Sequence, residues 1–326
     1  MRYAAPFIPL LAQRVALMVS SDKITGPARG RDALRHRFCL GGVALEVLPE
    51  PGFAWALPPE TEQHISATCT APTLAAITCS LRVDNSLMLV DAAEEHSVKW
   101  EQTPDGLRVR ARHLVLDIAA LGHRRYVVAA RIGHASLLTV MLNTLVTSVA
   151  ELAGGLCLHA TAVAHARGAV LLLGPSGAGK STAAGLLEDD VACLSNDRVT
   201  LVPDPFESGK FWVWSLPIGK APAIAPCQDV ALPLAALFRV VKANAPEVSS
   251  VREVEALMQI REAVEVGAGS EFFEPERLRA VAALASAAKS GVARVALATS
   301  WRPQLESFLM QAQPRNAGAR LDEAEV

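Results

Sequence analysis

Gly174-Pro175-Ser176-Gly177-Ala178-Gly179-Lys180-Ser181 fits G-x-x-x-x-G-K-[ST] at every fixed position. The pattern carries its own mechanism. A polyphosphate bears several negative charges, and a loop whose backbone N–H groups point inward before a helix can hold it. Glycines allow the turn and the close approach. Lys180 is then expected to reach the β/γ-phosphates and the Ser181 hydroxyl to ligate Mg²⁺. The flanks suit this reading. Ala169-Val170-Leu171-Leu172-Leu173 is a short apolar run of the kind found in a buried strand, and Ser181 to Leu187 opens a helix with apolar residues on one side. The ligand-binding residues expected from the motif are Gly174, Ser176, Gly177, Ala178, Gly179, Lys180, Ser181 and Thr182.

Upstream, Leu156 to Leu173 reads as a hairpin turning at Ala166-Arg167. In that register His159 falls opposite Gly174 and beside the phosphates. The competing reading is an ordinary hydrogen-bonded strand histidine, because a slip of one residue flips every side chain. Downstream, within Val191 to Val202, an apolar run ends at Asp197. A carboxylate at the tip of a neighbouring strand can hold Mg²⁺ or take a proton from a substrate hydroxyl, which singles out Asp197. Alternatively, Asp197 pairs with Arg198 or caps a turn. Lys220, Arg261 and Arg302 are further candidates for a phosphate clamp, each set against the commoner reading as a solvated charge.

The rest of the chain divides around this motif. Val43 to Leu48, Leu81 to Asp84, Gly106 to Arg110 and Tyr126 to Ala130 show strand patterns between turn residues. Residues 1–134 are therefore expected to form a β-rich N-terminal module. From Ser136 to Leu152 the period becomes helical and Gly154-Gly155 stops it, so a second domain is expected over 135–312. Phe211 to Leu216 and Leu234 to Val241 read as its later strands. Residues 313–326, polar and acidic at the tip, are expected to be a disordered tail.

With 326 residues, 51% of them hydrophobic, the chain can bury sizeable cores. Its net charge of -2 comes from intermixed signs, which argues against nucleic acid as a partner. No stretch reaches about 18 uninterrupted apolar residues, and Gln13-Arg14 break the apolar N-terminus, so neither a membrane span nor a signal peptide is expected. Six scattered cysteines without C-x-x-C spacing suit a reducing cytoplasm.

At His159, Gly174 to Ser181 and Asn196-Asp197-Arg198-Val199 the chain resembles the kinase domain of HPr kinase/phosphorylase and related kinases. That P-loop core is in turn similar to the one in phosphoenolpyruvate carboxykinase. The resemblance implies an α/β fold with a C-terminal P-loop domain of the HPr kinase/phosphoenolpyruvate carboxykinase-like type beside the β-rich module. It also implies an ATP- and Mg²⁺-dependent kinase that phosphorylates a serine-like hydroxyl of a protein, peptide or small molecule. Asp197 takes the place of the acid that deprotonates the acceptor, His159 that of the active-site histidine, and Lys180 that of the phosphate-contacting lysine, with Ser181 and Asp197 at the metal. HPr kinases are oligomers, so a homo-oligomer is implied too. One departure is Asn196, where the family has a first acid; its amide oxygen carries no charge. The alternative from another class is a nucleotide-operated binding module or ATPase without an acceptor.

Overall fold

Alternating apolar and polar residues build the first sheet. The computed structural model describes residues 35–57, 73, 75–89, 99–104, 106–122, 124–187, 191–204, 206–216, 231–264, 274–296 and 299–311. Lys220 and the expected 313–326 tail lie outside them. The first seven strands are β1 (His36–Leu40), β2 (Val43–Pro49), β3 (Ala75–Val83), β4 (Lys99–Thr103), β5 (Gly106–Ala111), β6 (Leu114–Gly122) and β7 (Arg125–Ile132). They form one sheet in the order β1-β2-β3-β7-β6-β5-β4. β3 runs parallel to both its neighbours, and the other pairs are antiparallel. Strict alternation in β2 buries Val43, Leu45 and Val47 on one face.

Helix α1 (Leu138–Leu152) follows a short 3-10 turn. It ends as its glycines demand. Gly154, with φ of 85°, donates to Glu151 O, and Gly155 donates to Ala150 O, the paired closure that only a left-handed residue permits. Met141, Leu142, Leu145, Val146 and Val149 are fully buried in a cluster shared by the first sheet, by Cys157, Val202 and Trp214 of the second, and by Leu216 just after one of its strands. The helix spanning 135–152 is also the one among the described residues long and apolar enough to cross a membrane; half of it is buried against the protein.

The second sheet holds β8 (Leu156–His165), β9 (Gly168–Leu173), β10 (Ala192–Ser195), β11 (Arg198–Pro203), β12 (Phe211–Ser215), β13 (Ala231–Lys242), β14 (Glu247–Ser250) and β15 (Ser290–Val295). The long strands β8 and β13 serve two pathways. One runs β10-β8-β9-β13-β15-β14; the other links β8 to β13 through β11 and β12. Helices α2 (Lys180–Gly185), α3 (Glu253–Ala263) and α4 (Glu274–Ala287) come between these strands in the chain, and α5 (Arg302–Met310) follows β15.

β9 is buried at all six residues, which is why its sequence is continuously apolar rather than alternating. Ala169, Leu171 and Leu173 face the α3/α4 side, while Val170 and Leu172 face α2 and α5. Each of its buried leucines contributes about 2 kcal/mol, and together they fix the strand from whose end the glycine-rich loop springs. Cys79, Cys157 and Cys193 are buried, packing as small hydrophobes, and burial pushes the Cys79 thiol up to about 12. Cys39, in contrast, is disulfide-bonded.

Candidate phosphate-binding site

The loop Gly174 to Gly179 leaves the end of β9 and enters α2. Ala178 N–H donates to Pro175 O at 3.1 Å, closing a turn whose third residue, Gly177, has φ of 80°, as a type II turn requires. Gly179 caps α2 with φ of 94°, and the first helical bond runs from Ala183 N–H to its carbonyl. Gly174, with φ of 143°, packs where a Cβ would meet the Ala178 Cβ at 3.0 Å. These backbone shapes leave Ser176 and Gly177 exposed at the crest, with Ser181 and Thr182 exposed in the first turn of α2.

Lys180 is buried and its ammonium bends back. It donates to Gly174 O at 2.7 Å and Pro175 O at 3.2 Å, and lies 3.0 Å from His159 Nε2. Burial holds its pKa below the usual lysine value, partly offset by the Asp197 charge. An ammonium has only protons to give, so His159 Nε2 accepts and Nδ1 carries the ring proton. Nδ1 faces Asp197 Oδ1 at 3.2 Å. Lys180, His159 and Asp197 thus form a line from the glycine-rich loop to a half-buried carboxylate.

Register explains why these three residues meet. β8 and β9 pair from His165 with Gly168 to Ala160 with Leu173, the register expected for a turn at Ala166-Arg167. His159 is therefore next in line and level with Gly174. On the opposite edge of β8, β10 pairs through Ala162 and β11 from His159 onward, with a register shift between Cys193 and Ser195. Asn196 and Asp197 occupy the corner between these strands. Asp197 O accepts from Ala160 N–H at 3.0 Å, and Asn196 O from Thr161 Oγ1 at 3.2 Å. The run expected as one strand ending at Asp197 is therefore two strands hinged there. Arg198 Nε stands 4.0 Å from Asp197 Oδ2, a looser pairing than the one with His159.

Ser181 Oγ donates to Asn196 Oδ1 at 2.8 Å, bringing a hydroxyl and an amide oxygen together one residue before Asp197. Among the described residues no group of three His, Cys, Asp or Glu side chains gathers to hold a metal. Of the other basic residues, Arg302 lies near Glu306, the partner of His165 at the hairpin turn. That turn is about 20 Å along β9 from the loop. Arg261 is exposed in the last turn of α3.

Sequence reasoning missed Lys242, the last residue of β13. A Cβ on Gly179 would lie 3.8 Å from its Cε. A lysine ending a strand some sixty residues after the loop gives no local signal; only the parallel pairing of β13 with β9 brings it there.

A family model described as SynChlorMet cassette protein ScmC matches residues 132–290, a span containing the loop, His159, Asp197 and Lys242. No curated protein matches the chain.

Proposed function

We propose that this chain is a kinase of the HPr-kinase-like kind, binding ATP with Mg²⁺ at the 174–182 loop and phosphorylating a hydroxyl of a protein, peptide or small molecule. The observation that carries the reading is the line Lys180, His159, Asp197, which sets a candidate base beside a phosphate-binding loop. The loop suits a polyphosphate: three glycines with positive φ leave its crest open, with nothing within 4 Å of a Cβ built at Gly177. The oxygens of Ser181, Asn196 and Asp197 suit Mg²⁺, a hard cation that takes few protein ligands when phosphates supply the rest.

In this reading, Lys180 exchanges its loop carbonyls for phosphate oxygens and neutralises charge there. Asp197 takes the proton of the acceptor hydroxyl, and His159, donating through Nδ1, holds the carboxylate in position. Mg²⁺, when bound with the nucleotide, supplies further neutralisation of the transferring group.

Asp197→Asn tests it. ATP affinity should stay within a few-fold of wild type while phosphoryl transfer falls by about 10² to 10⁴, the usual contribution of a general base. The matching family is described as a cassette protein, so products of neighbouring genes are the first acceptors to try with labelled ATP. Tight ATP binding with no labelled acceptor would favour the nucleotide-operated binder, and transfer at the wild-type rate by Asp197→Asn would remove Asp197 as base.

A further inference from the structure

We infer that Lys242 is a second phosphate-binding cation of this site, gripping the polyphosphate from the β13 flank while Lys180 acts from the β8 flank. The inference rests on the nucleotide-binding reading above and names a residue that reading does not require. β9, which carries the loop, lies between β8 and β13. β13 runs parallel to it, with Arg239 opposite Leu173. Continuing that register sets Val240 level with Gly174 and Lys242 level with Ser176, so β13 overruns the end of β9 and its last residues flank the loop.

Two contacts agree with that placement. A Cβ on Gly174 would lie 3.7 Å from Val240 O, and one on Gly179 would lie 3.8 Å from Lys242 Cε. Side chains alternate along a strand, and Phe238 and Val240 belong to the cluster that packs against Ala183 and Ala184 of α2. Lys242 continues that row at the point where the apolar contacts give way to the loop, so its stem runs along the loop side. Its ammonium is one bond beyond the carbon that reaches Gly179, and the residue is exposed.

The ligand chemistry follows. Gly179 adjoins the first turn of α2, whose amides would face the inner phosphates, so a cation here serves any ligand with a pyrophosphate unit. Calorimetry with Mg-ADP and with inorganic pyrophosphate on wild type, Lys242→Met and Lys242→Arg would test the assignment. Methionine keeps the aliphatic stem and removes the charge. Lys242→Met should lose about tenfold in affinity for both ligands, the scale of one charge-assisted hydrogen bond, at unchanged melting temperature. Lys242→Arg should recover most of the loss. Wild-type affinity in Lys242→Met overturns the role of Lys242 and leaves the nucleotide reading standing. A loss that arginine does not recover shows that charge is not what counts, and overturns it too. No binding of either ligand by wild-type protein overturns both.

Discussion

Lys180 occupies the point where the loop's electrostatics can be measured. Its three protons are matched by Gly174 O, Pro175 O and His159 Nε2, so ligand binding exchanges a satisfied ammonium between acceptors. Burial lowers its pKa, so the folded protein releases this proton at lower pH than the unfolded chain. Between the two pKa values the unfolded state binds more protons, and the contribution of Lys180 to stability rises with pH. Phosphate affinity runs the other way, because only the ammonium attracts an anion. Calorimetric titrations with Mg-ADP should therefore weaken as pH rises, beginning below the ordinary lysine range, while melting of the ligand-free protein shows no parallel loss from this group. Lys180→Ala should abolish both the binding and its pH dependence. Ser181 separates metal from nucleotide: Ser181→Ala should weaken binding more with Mg²⁺ than without it, since the hydroxyl's expected contact is to the metal. Equal losses in the two titrations would contradict that role.

Helix α2 is only six residues long, too short to hold itself by its own hydrogen bonds. Tertiary contacts hold it instead. Ala183 and Ala184 are buried against Phe238 and Val240 of β13, and the fully buried Trp301 indole donates to Ala183 O at 2.8 Å. Trp301 also meets Phe238 edge-on, with ring centroids 5.9 Å apart. The residue before α5 thus pins the helix that follows the glycine-rich loop. Trp301→Phe keeps most of the packing and removes the donor from a buried carbonyl, which should cost about 1–3 kcal/mol in urea unfolding. Hydrogen exchange should show the loss of protection concentrated in α2. An unchanged α2 would mean that packing alone positions it.

Across the whole molecule the two sheets share a core. α1 lies between them, and a Cβ on Gly41 would come within 2.5 Å of Val146 Cγ1 and 2.6 Å of Leu216 Cδ2, atoms from α1 and from the segment after β12. Arg277 of α4 pairs with Glu151 of α1 at 3.1 Å, with side chains only 10% and 9% exposed. Removing the guanidinium takes the charge partner from a buried carboxylate, so Arg277→Ala should cost about 3–5 kcal/mol. Replacing both residues by apolar ones should cost less. Calorimetric unfolding should show one transition in wild type and variant alike, because α1 is buried in a cluster that holds residues of both sheets. Two resolved transitions would show that the sheets fold independently.

What the sequence determined by itself was local. Eight consecutive residues were enough to read the loop, because glycine and lysine are needed there for reasons of backbone shape and charge. Five apolar residues showed β9, and a two-residue turn set the register that brings His159 to Gly174. The end of α1 was legible in Gly154-Gly155. Tertiary structure decided everything that depends on partners distant in sequence. The parallel pairing of β3 with β2 and β7, the hinge that divides β10 from β11 at Asn196-Asp197, and the double use of β8 and β13 left no mark in periodicity. Periodicity reports which face of an element is buried and not what buries it. Lys242 shows the consequence: its neighbours in sequence read as an ordinary strand end, and only the parallel register of β13 on β9 carries its side chain to the glycine-rich loop.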